Sequence, residues 1–165
     1  MKIHLLFLIT LFLGMTQFNF SQENPLVNEV NLADLKITIK REGSNDGCLN
    51  CSPAYVMSIN GNGIVNYEGF SGVKLTGKYS FSISTEQIED LLTDFKNAEF
   101  FSLNNSYTKK QLPNNVSLRV DHANATTITL IVGEKTKSVY NFFGAPDKFN
   151  ALQEKLDEIS KKLQQ

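Results

Sequence analysis

Tryptophan is absent from this chain, and histidine and cysteine are nearly so, with two of each in 165 residues. His4 lies in an apolar N-terminal run, so His122 is the only histidine beyond it. A closed zinc site needs four nitrogen, sulfur or carboxylate ligands, and the Cys48/Cys51 pair supplies two. No spacing brings His122 and a carboxylate to complete it, so no metal and no cofactor are expected. Basic patches are also missing. The longest cationic run is a pair such as Lys109-Lys110, and the formal net charge is −1. Nucleic-acid binding therefore lacks its electrostatic footprint. Beyond the N-terminal run, no apolar segment approaches the length of a transmembrane helix.

What is present begins with that run. Lys2 precedes a stretch from Ile3 to Met15 that only His4, Thr10 and Gly14 interrupt, and polar residues with the small Ser21 follow. This order predicts a secretory signal over residues 1–21 rather than a buried helix, because no polar face recurs. No cysteine follows the run, which argues against a lipid anchor. The expected location is secreted or periplasmic, with no membrane span after signal removal. The remaining 144 residues carry a charge of −2 and suffice for one domain with a core. Residues 22–33 read as a flexible lead-in and 34–165 as a single domain.

Hydrophobic periodicity predicts the elements. Leu35, Ile37 and Ile39 alternate with polar residues as a half-buried strand, and Tyr55, Met57 and Ile59 repeat the pattern. Asn60-Gly61-Asn62-Gly63 is a hairpin signal leading into Ile64–Tyr67. Val73, Leu75, Tyr79, Phe81 and Ile83 predict a long fourth strand with a bulge at Gly77. Ser84 and Gln87 form a capping box ahead of Ile88, Leu91, Leu92 and Phe95, which share one helix face. Residues 104–115 read as a polar loop. Val116, Leu118 and Val120 predict a strand that turns at 121–124 to pair with Ile128, Leu130 and Val132. A last strand holds Val139 and Tyr140. Phe149, Leu152, Leu156, Ile159 and Leu163 predict a closing amphipathic helix. The expected class is α+β: an antiparallel sheet of about seven strands, order ββββαβββα, with both helices on one face.

Three readings compete for Cys48-Leu49-Asn50-Cys51: a disulfide bracing the loop, a redox dithiol, and half a metal site. Oxidation is favoured in an export compartment. Redox activation is disfavoured, because Ser52-Pro53 leads into a strand and not into the helix N-terminus that lowers a thiol pKa. Asp121 and His122 are neighbours in a predicted turn, and the acidic residues of the first helix suit its dipole. Neither group forms a catalytic set, so no catalytic residue is assigned.

The stretch from Arg41 to Tyr67 resembles a secreted bacterial family known only as a domain of unknown function. The resemblance rests on Arg41, Cys48, Pro53, Tyr55, Gly63, Tyr67 and Gly69. It continues through Ser84-Thr85-Glu86-Gln87, Phe100-Phe101-Ser102-Leu103, Tyr107, Pro113 and Ala145-Pro146. Two departures stand out: Cys51 falls one residue early, and Gln111 occupies a position where the family carries an acid. The resemblance implies export and one domain, and no activity. The leading expectation is a non-catalytic exported domain that binds a protein or small ligand, with Arg41, Tyr55 and Tyr107 as recognition residues. The alternatives are a thiol-disulfide oxidoreductase using Cys48 and Cys51, and an inhibitor-like module acting on a secreted enzyme.

Overall fold

A computed structural model describes residues 31–43, 52–120 and 124–165. The expected signal, both cysteines, Asp121 and His122 lie outside these residues. A 3₁₀ turn at Leu32–Asp34, capped by the Asn31 side chain, leads into β1 (Leu35–Arg41). Then follow β2 (Ala54–Asn60), β3 (Ile64–Ser71), β4 (Gly77–Ser82) and α1 (Thr85–Asn97). Five short or long strands precede the last helix: β5 (Ser106–Thr108), β6 (Lys110–Gln111), β7 (Ser117–Leu118), β8 (Thr126–Val132) and β9 (Lys135–Phe143). The chain closes with α2 (Asp147–Leu163).

Seven strands form one sheet in the order β4-β3-β2-β1-β8-β9-β5, and β6 and β7 form a separate ribbon. The fold is α+β and mostly antiparallel, with one parallel pair among the described residues, between β5 and β9. The hairpin between β2 and β3 closes where the sequence puts it. Gly63 takes φ +84°, which L side chains resist, and its N–H donates to the Asn60 carbonyl at 2.9 Å. At α1 both capping-box bonds form: Gln87 N–H to the Ser84 hydroxyl at 3.2 Å, and Ser84 N–H to the Gln87 side chain at 2.9 Å. Alternate residues of β1, β2, β3 and β8, among them Ile37, Ile39, Met57, Ile59, Val65 and Ile128, join one core. The same core takes in Ile88, Leu91 and Phe95 of α1 and Phe149, Leu152 and Leu156 of α2.

Three expectations need correction. Val116 and Leu118 do not belong to the seven-stranded sheet; β7, which holds Leu118, pairs with β6. The reason is that β8 has two edges and both are taken, one by β1 and the other by β9. Five strands therefore separate the helices rather than three. The expected polar loop supplies the seventh sheet strand instead, through Ser106–Thr108. The fourth strand is also shorter than its pattern, because Val73 and Leu75 sit in the connection and pack on the core from there. The Leu75 carbonyl stands where a side chain of Gly69 would be, so Gly69 has no room for a Cβ.

Candidate functional site

The three expected recognition residues fall in one cross-strand row. Arg41 pairs with Tyr55 on one side and with Thr126 on the other. Thr126 pairs with Asn141, and Asn141 with Tyr107. The row crosses the sheet where β1 and β9 end, so the segments after Arg41 and after Thr108 leave the same end. Tyr107 and Arg41 are nonetheless three strand spacings apart, about 14 Å. They share an end of the sheet without touching.

Side chains in this row continue the alternation that builds the core. Arg41 is in phase with Leu35, Ile37 and Ile39, so its guanidinium points toward α2 and away from open solvent. There one Nη donates to the Thr126 hydroxyl, and Nε lies 3.5 Å from the Asp157 carboxylate. The Tyr55 hydroxyl donates to the same carboxylate oxygen. Tyr55 is 2% exposed, and the Arg41 and Asp157 side chains are 12% and 16% exposed. Burial, then the Asp157 charge and its hydrogen bond, push the Tyr55 phenol far above the ordinary tyrosine range, with Arg41 opposing. Tyr55 is held in place as a hydrogen-bond donor to Asp157. Its ring stacks on Tyr67 at 5.6 Å between centroids. Gln164 anchors the neighbouring connection: its side-chain oxygen accepts from Lys74 N–H at 3.1 Å and Leu75 N–H at 3.3 Å.

The foot of the cysteine loop lies over this network. Glu42 N–H donates to the Ala125 carbonyl at 2.9 Å, and Asn124 donates to the Ser52 hydroxyl. Farther along the row, the Tyr107 hydroxyl accepts from Asn104 N–H at 3.1 Å, and its ring is 6.5 Å from that of Phe149. Tyr107, Lys109, Lys110, Asn141, Phe143 and Asn150 line an open polar groove of about 830 Å³. Gly144, at φ +93°, lets the Lys109 carbonyl press against the groove wall. Among the described residues, no group of three or more His, Cys, Asp or Glu is placed to hold a metal.

Residues 35–160 match the family described as Domain of unknown function (DUF6438). The chain belongs to this family. The DUF6438 match runs from the first residue of β1 to the last full turn of α2, so it includes Arg41, Tyr55, Tyr107 and Asp157. No curated protein matches the chain.

Asp157, Thr126 and Asn141 escaped the sequence reading of this DUF6438 domain. The available signal was phase. Thr126 is in step with Ile128 and Leu130, and Asn141 with Val139. A polar residue in step with an apolar stripe at a strand end marks a buried polar contact.

Proposed function

We propose that this is an exported, non-catalytic binding module whose recognition surface is the loop-bearing end of the sheet. The observation that carries the reading is the register row. It brings the foot of the cysteine loop, the start of β8 at Thr126 and the Tyr107 groove to one end of the sheet. Loops on a rigid sheet end are a common setting for recognition. In this reading Tyr107 and its groove meet the partner, while Arg41 and Tyr55 fix the strand ends from which the cysteine loop leaves and returns. Both helices cover one face of the sheet, since their buried residues join the single alternating strand set. Export and a Cys48–Cys51 disulfide belong to the same reading, on the strength of the N-terminal apolar run.

Substitution in the groove tests it. Thr108 is exposed at the groove lip. Thr108→Arg should abolish capture of a specific envelope partner while leaving the circular dichroism and melting curve unchanged. Unaltered capture by a folded T108R protein would place recognition elsewhere.

A further inference from the structure

Beside that groove, which Lys110 and Gln111 help to line, the β6–β7 ribbon carries a row of exposed aliphatic side chains. Residues 108–119 are all exposed. Lys110 pairs with Leu118, and the Leu112 N–H donates to the Val116 carbonyl at 2.8 Å. Strand alternation then puts Lys110, Leu112, Val116 and Leu118 on one face. Gln111 and Ser117 take the other, joined by a 2.9 Å hydrogen bond. The three aliphatics are 38%, 54% and 46% exposed for Leu112, Val116 and Leu118. The ribbon is thus amphipathic and solvent-exposed.

Its charge has one sign. From Phe100 to Val120 there is no Asp or Glu, while Lys109, Lys110 and Arg119 are present, in a chain whose net charge is −1. Among the described residues none of these three cations forms an ion pair. We propose that this ribbon docks on an anionic lipid bilayer, its aliphatic face and Lys110 entering the headgroup boundary while Lys109 and Arg119, which flank the two strands, reach the lipid phosphates from the rim. Local basic charge beside a shallow apolar face is the pattern of interfacial membrane binding. A stable protein interface buries about 800 Å² per partner, well beyond three half-exposed aliphatics.

The lack of tryptophan makes the test local. Leu118→Trp gives the full chain a single reporter on the ribbon. Phe101→Trp gives one away from it, at another exposed position. Vesicles of phosphatidylcholine with about a third phosphatidylglycerol should shift L118W fluorescence to the blue, and brominated acyl chains should quench it. Pure phosphatidylcholine should do neither, high salt should reverse the effect, and F101W should not respond. Adding Leu112→Ser and Val116→Ser to L118W should weaken binding about tenfold or more. No shift with anionic vesicles overturns the proposal. So does an equal response from F101W, which would place contact on another surface, including the N-terminal apolar run. A blue shift that grows with protein concentration and needs no vesicles would assign the face to a second copy. Val116→Trp repeats the test if L118W does not fold. T108R adds a cation beside Lys109 and should not weaken the vesicle response, so failure here and failure of the groove are separable.

Discussion

Removing the Asp157 carboxylate should expose how the loop-bearing end is held. Asp157→Ala leaves the Arg41 guanidinium without its counter-charge and the Tyr55 hydroxyl without an acceptor. Breaking a fully buried pair from one side costs about 3–5 kcal/mol. Both side chains keep a little solvent contact, and Nε faces the carboxylate at 3.5 Å without a hydrogen bond. The low end, about 3 kcal/mol, is therefore expected. For a domain of this size that lowers the melting temperature by about 6–12 °C. Urea unfolding followed by circular dichroism should show a lower midpoint at unchanged slope. Asp157→Asn keeps an acceptor and should cost about half as much. A second arm uses pH. The native Tyr55 phenol stays protonated above the ordinary tyrosine value of about 10, whereas the unfolded one ionises there. The native state then holds more protons, so its stability advantage is complete below about pH 10 and falls as pH rises further. The stability gap between wild type and Tyr55→Phe should accordingly narrow between pH 9 and 11. If D157A cost no more than Glu158→Ala at an exposed neighbour, and the gap did not move with pH, the network would be decorative.

Other outcomes follow from packing and backbone geometry. Leu156→Ala opens a cavity at a fully buried site and should cost about 2–5 kcal/mol, against little for exposed Glu154→Ala, by the same urea titration. Ser84→Ala removes half of the capping box and should cost about 1 kcal/mol. Gly144→Ala meets both a positive φ and the Lys109 carbonyl, and should cost about 2 kcal/mol or more while raising hydrogen exchange at residues 109–111. Protein recovered after export should show no free thiol before reduction, and its Cys48→Ser/Cys51→Ser variant should melt only slightly lower, since so short a loop gains about 1–2 kcal/mol from closure. Two titratable thiols in the unreduced protein would contradict the disulfide.

Where the sequence was legible, a local signal and the tertiary context agreed. The capping box with its i, i+3, i+4, i+7 stripe marks α1, and Asn-Gly chemistry marks the β2–β3 hairpin. Val116 and Leu118 show where legibility ends. Alternation says that a segment is extended, but it does not name its partner, and β8 had no free edge left. The β5 strand is hard for a related reason: it pairs in parallel with residues more than thirty positions away, and no short turn announces that. Within the candidate site, Arg41, Tyr55 and Tyr107 could be picked out by residue type and by their nearness to loops. Their alignment in one row could not, because it depends on the β2–β1–β8–β9–β5 register. Asp157 was hidden by its place on the shoulder of an apolar helix stripe, where a carboxylate usually faces water.

Photo-crosslinking from single positions tests the central claim most directly. A photoreactive residue at Thr108 or Gln111, on the groove, should capture one defined partner from the envelope. The same group at Glu134, at the far end of the sheet between β8 and β9, should capture none. Equal adducts from both ends, or a defined adduct from Glu134 alone, would contradict recognition at the loop-bearing end.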